Sequence, residues 1–153
     1  MAKRYYENLY GVTKNDVCLP NSRIKDNPSK KGREKSLRER KKYGYDLVET
    51  YSVDYTALIW LYEHIKIMIE VGSKIINYDA EHDWDDSERK VFNELGINPK
   101  TDNEAFDILC KYIEEGFKYM NSEDDEVWDD DLAHQYFAKV WKLWAAIFTR
   151  AWW

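Results

Sequence analysis

Three features of the sequence predict an all-α fold, a compact bundle of about four helices preceded by an irregular basic N-terminal arm. Apolar residues recur at three- and four-residue spacing through the second two thirds of the chain, the pattern of helices that bury one face. Only six Gly and three Pro occur in 153 residues, and five of these nine lie at or before Gly44, so turn chemistry is concentrated early. Charge divides the same way: residues 1–45 hold thirteen Lys and Arg against five Asp and Glu, while residues 46–153 hold ten against twenty-four. The expected organisation is therefore a basic arm over 1–45 and a helical domain over 46–153, with one hydrophobic core, as a chain of this length can bury roughly 70% of its unfolded surface.

Within the arm, residues 11–32 carry both early prolines and no sustained period, which reads as loop with a short extended piece near Val17 to Leu19. From Arg33 to Lys42 the opposite-charge pairs Glu34/Arg38 and Lys35/Glu39 stand four residues apart, as in a short solvated helix. Leu37 is its one apolar residue, so such a helix has almost no face to bury.

The helical domain opens with a helix expected over roughly 54–76. Ser52 or Asp54 is placed to cap it, and Leu58, Leu61, Tyr62, Ile65, Met68 and Ile69 draw its buried face, widened by Ile59, Ile67 and Val71. A shorter helix follows, with Asp85 or Asp86 as cap, Gly96 as a left-handed stop and Pro99 beyond it. Thr101 and Glu104 have capping-box spacing ahead of a third helix faced by Phe106, Leu109, Cys110, Ile113, Phe117 and Met120. The last helix emerges from the acidic run EDDEVWDDD, whose carboxylates complement the positive end of a helix dipole. Its expected stripe is Phe137, Val140, Trp141, Trp144, Phe148 and Trp152.

Cys18 and Cys110 lie far apart without CxxC spacing, and no secretory signal precedes them, so a reducing cytosolic compartment is expected. No apolar run approaches the roughly 18 residues of a membrane span.

The segments VDYTALIWLYEHIKIMIE, FDILCKYIEEGFKYM and LAHQYFAKVWKLW, in that order and separated by acidic linkers, resemble a group of small phage and prophage accessory proteins of unassigned function. In that group an aromatic-x-x-Asp start leads a first helix, a middle helix carries a Phe near its end, and an LFAKYF..LW-like helix closes the chain. The likeness covers roughly residues 51–145, with Tyr51 standing where those proteins more often have Trp. It implies a viral accessory protein acting in the host bacterial cytosol, and it carries over no catalytic residues.

Little in the sequence points to catalysis or to a metal or other cofactor. Asp131 and His134 are spaced i,i+3, Glu63 adjoins His64, and Asp79, Glu81, His82 and Asp83 cluster in a connector. A di-metal bundle needs several inward carboxylates and two Glu-x-x-His pairs, so no metal site is expected. There is no Gly-x-Ser-x-Gly, no phosphate-binding glycine loop and no Cys paired with a His, and Cys110 reads as a small buried hydrophobe. The chain is not expected to be an enzyme.

Two features remain. Ending on Trp152 and Trp153, the last helix presents Trp141, Trp144 and Phe148 as core, as a membrane-interface face or as an oligomer interface, and the acidic lead-in disfavours anionic lipid. A homo-oligomer without membrane contact is the expectation. The basic strip SKKGREKSLRERKK suits phosphate groups: Lys30, Lys31, Arg33, Arg38, Arg40, Lys41 and Lys42 supply donors, and Tyr43 and Tyr45 can stack on bases. An acidic body repels long duplex DNA, which favours a small or locally bound nucleotide. The function expected is a non-catalytic, phage-encoded binding protein that blunts a bacterial defence, holding a signalling nucleotide or a nucleic-acid-handling effector through the arm. The alternatives are an inhibitor that contacts a host defence protein through the acidic face at 124–131, and a virion or assembly component.

Overall fold

The computed structural model describes residues 5–12, 29–43, 53–75, 80, 81, 83–122, 124 and 126–151, apart from the side chains of Arg33, Ser36, Arg40 and residues 53–55 and 72–75. Five α-helices run through them: α1 (Lys30–Tyr43), α2 (Val53–Ile75), α3 (Asp86–Leu95), α4 (Asp102–Asn121) and α5 (Asp130–Ile147). Short 3₁₀ turns stand at Tyr6–Asn8 and Phe148–Arg150. The fold is all-α, and its β pairing among the described residues is one isolated antiparallel bridge between Glu81 and Thr101. The chain divides into two compact units, Met1–Asn8 with Val12–Glu63 and Leu9–Gly11 with His64–Trp153. The division falls inside α2.

In the first unit, α1 begins three residues before the sequence expectation because the Ser29 hydroxyl accepts the Gly32 amide at 3.2 Å and gives the helix a start ahead of the glycine. α2 buries Leu58, Ile59, Leu61 and Tyr62, while the proposed caps Ser52 and Asp54 lie outside the described residues or side chains. Glu63 is also buried, and its Oε2 accepts the backbone N–H groups of Tyr5 and Tyr6 at 2.7 and 2.8 Å. Buried amides need such acceptors. Tyr5 and Tyr6 are buried as well, so these two residues are fastened to the helix.

In the second unit the helix ends follow local chemistry. Asp85 caps α3 through Ser87 and Glu88 amides, Glu88 returns a carboxylate to the Asp85 amide, and Gly96 stops the helix at φ 68°. The Thr101 hydroxyl caps α4 by accepting the Glu104 amide, whereas the Glu104 carboxylate bonds the amide of Lys100, one residue before the expected one. Asp129 caps α5 through the Leu132 amide. Phe106, Leu109, Cys110, Ile113 and Phe117 of α4 are buried as the periodicity predicts, with Met120 half-buried. Lys66 of α2 reaches Asp107 and Glu114 of α4 at 3.8 and 3.6 Å.

The stripe expected on α5 needs correction. Its buried row is Ala133, Phe137, Val140, Leu143 and Ile147; Trp141 and Phe148 are exposed and Trp144 is half-buried. Close approach of α4 explains the choice, since Gly116 sits against the Phe137 ring, and Phe137 meets Phe117 edge-on at 5.5 Å. A Cβ on Gly116 would come within 2.7 Å of Phe137 Cδ1. Glycine in a helix interior ordinarily loses about 1 kcal/mol to alanine, but overpacking costs about 1–3 kcal/mol. Gly116→Ala is therefore expected to destabilise by up to about 2 kcal/mol in urea melts, against the helix-propensity trend. Stabilisation would mean that α4 and α5 are not this close.

Candidate functional site

The helical register of α1 gathers its cations. Lys31, Lys35, Arg38 and Lys42 recur at i, i+4, i+7 and i+11, one row along the helix, with Lys30 and Lys41 beside it. At 1.5 Å per residue that row is roughly 16 Å long. Lys30, Lys31, Lys35, Arg38, Lys41 and Lys42 are all exposed. Lys35 pairs with Glu39 at 3.7 Å as expected, but the expected Glu34/Arg38 pair does not form. Among the described residues Lys30, Lys31, Arg38 and Lys41 make no ion pair. At the end of the row Lys42 Nζ stands 4.7 Å from the centroid of the Tyr43 ring, which is 55% exposed. Leu37 is 48% exposed, so α1 has no buried apolar seam of its own. The side chains of Arg33 and Arg40, and the whole of Tyr45, lie outside the described residues. Lys35 joins the row although the sequence pattern singled it out only as an ion-pair partner.

A second surface lies on α5. Trp141 is 41% exposed and Phe148 48%, and between them Trp144 stacks at a tilt on Phe148, centroids 6.4 Å apart. These three expected interface residues share one outward row; Trp152 and Trp153 lie outside the described residues. The acidic connector before α5 is a hydrogen-bonded turn in which the Val127 and Trp128 amides donate to the Asp124 carbonyl. It displays Trp128, 50% exposed, among the exposed Asp124, Glu126, Asp129, Asp130 and Asp131.

Several side chains weighed in the sequence have other places. Cys110 is buried, and desolvation pushes its thiol up to about 12, so it is not a thiolate at neutral pH. His64 and His134 are exposed, His82 and Asp79 lie outside the described residues, and among the described residues no three His, Cys, Asp or Glu side chains cluster as metal ligands. No helix among them is long and apolar enough to cross a membrane.

Sequence reasoning missed two arrangements. The buried Glu88 accepts Arg150 Nε at 2.8 Å and Nη2 at 3.0 Å, while the Arg150 guanidinium stands 5.7 Å from the Trp84 ring centroid. The Glu88 carboxylate raises the already high pKa of Arg150. Tyr119 and Tyr136 stack at 10° between α4 and α5, with Lys139 over Tyr136 at 4.8 Å and over Tyr112 at 5.7 Å. Glu88 and Arg150, and likewise Tyr119 and Tyr136, are separated along the chain and have no motif spacing. Compared with known proteins, the chain matches no family model, no curated protein and no solved structure.

Proposed function

We propose that this is a non-catalytic binding protein that holds a ligand bearing several phosphate groups along α1. The observation that carries the reading is the solvent-facing row Lys31, Lys35, Arg38 and Lys42, flanked by Lys30 and Lys41. A single phosphate cannot meet cations spread over roughly 16 Å, whereas the repeated phosphates of an oligonucleotide can. Tyr43 adds a ring on which a base can stack once Lys42 turns to phosphate. The likeness to phage and prophage accessory proteins favours a counter-defence setting, in which the ligand is a signalling nucleotide or the nucleic acid of a defence effector. The outward row Trp141, Trp144 and Phe148 is the surface that self-association would cover.

Native mass spectrometry of the protein purified from a phage-infected bacterium tests this reading. Retained mass in steps of nucleotides, on a closed homo-oligomer, is the expected result; a bare chain whose melting temperature is unmoved by oligonucleotides or cyclic dinucleotides contradicts it. Trp128, exposed amid carboxylates, favours a second reading, direct contact with a basic host defence protein. On that reading Trp128→Ala abolishes co-purification of the partner and the α1 cations are dispensable.

A further inference from the structure

We infer that the outward row of α5 pairs with the same row of a second copy, the two helices running antiparallel about a twofold axis near Leu143. The pairing rests on the self-association in the functional reading, not on the phosphate ligand of α1. His134, Ala138, Trp141, Ala145 and Phe148 stand alternately four and three residues apart, and all five are exposed. The Phe148 amide donates to the Trp144 carbonyl, so the helical register runs unbroken through Phe148. Apolar residues at this period form the seam by which one helix packs along another.

The order of sizes makes this helix complementary to itself. Ala138, Trp141, Ala145 and Phe148 alternate small and large, and side chains interdigitate where large faces small. Trp141 and Ala145 stand two residues either side of Leu143, and Ala138 and Phe148 five. One reversal therefore sets each Trp141 against the partner's Ala145 and each Phe148 against the partner's Ala138.

Charge fixes the direction. A parallel pair would bring the exposed Asp130 and Asp131 of both copies together, whereas reversal carries them to opposite ends. Lys142 comes beside its counterpart near the axis, and the Glu94 carboxylate 2.5 Å from its Nζ neutralises each ammonium. The seam from Ala138 to Phe148 is about 15 Å long. Trp141 is 41% and Phe148 48% exposed, so with Trp144 and the two alanines the seam covers roughly 400 Å² per copy. That is about half of a standard interface, which makes the dimer a weak one, with a dissociation constant on the order of 100 µM.

Sedimentation equilibrium of the full chain from about 10 µM to about 1 mM tests the pairing. A monomer–dimer equilibrium is expected. Ala145→Trp makes the row more apolar but sets two indoles against each other, and should weaken the dimer at least about tenfold. Adding Trp141→Ala to it restores large against small and should bring the constant back within about threefold. Glu94→Lys gathers four cations near the axis and should weaken pairing about tenfold in low salt and little at about 1 M. Tighter pairing in Ala145→Trp would make the row indiscriminately adhesive and overturns the assignment, as does a double variant no tighter than the single one. A chain monomeric to about 1 mM also overturns it, whether it then binds phosphatidylcholine vesicles, which would make the row a lipid face, or does not, which would leave it to a foreign protein. Lys31→Glu/Arg38→Glu/Lys42→Glu should leave the dimer unchanged, so the pairing and the α1 reading fail separately.

Discussion

Replacing Arg150 with Ala is expected to lower the melting temperature by about 10 °C, although the residue stands three positions from the end of the chain. The Glu88 carboxylate that it bonds is 3% exposed, and the Arg150 side chain 26%. Removing one partner of a buried pair strands the other and costs about 3–5 kcal/mol, and partial exposure of Arg150 places its loss near the lower figure. The same Glu88 carboxylate accepts the Asp85 amide at 2.7 Å, so it also closes the start of α3. Glu88→Ala should therefore cost as much as Arg150→Ala or more. Combining Glu88→Met with Arg150→Leu should recover a good part of the loss, because no charge is then left buried. A double-mutant cycle in urea measures the coupling. Additive losses would show that the pair is not formed in solution.

The second large effect is on binding. Lys31→Glu, Arg38→Glu and Lys42→Glu together reverse three members of the α1 row and are expected to weaken binding of a short oligonucleotide by at least about a hundredfold. Exposed side chains away from the core seldom change stability, so the melting temperature should move by no more than about 2 °C. The single change Glu34→Lys adds a cation beside Arg38 and should tighten binding. Affinity loss accompanied by a collapse in melting temperature would make α1 a structural element instead of a ligand-binding one.

Local chemistry explains what could be read from the sequence. Asp85, Gly96, Thr101 and the acids before α5 mark helix ends because each satisfies backbone groups within four residues of itself. The face of α4 was legible because its apolar residues form one narrow row. α5 differs: Val140/Trp141, Leu143/Trp144 and Ile147/Phe148 make two adjacent apolar rows, and periodicity alone does not choose between them. Packing chooses, and the Phe137 ring fitted against Gly116 turns the large indoles outward. The burial of Glu63 and Glu88 could not be read from the sequence, since the Tyr5 amide and the Arg150 guanidinium that they bond lie 58 and 62 residues away along the chain. The cationic strip could be seen at once, but its row along one side required the helix to start at Ser29, ahead of a glycine that reads as loop.

Whether the ammonium and guanidinium groups of α1 are available to phosphate is tested most directly by the salt dependence of binding. A fluorescein-labelled eight-nucleotide RNA, titrated with the full chain between about 50 and 200 mM salt, should lose about twentyfold in affinity if three phosphates are neutralised, following the slope for single strands. Binding that is absent at the lowest salt, or present and insensitive to salt, would contradict the account.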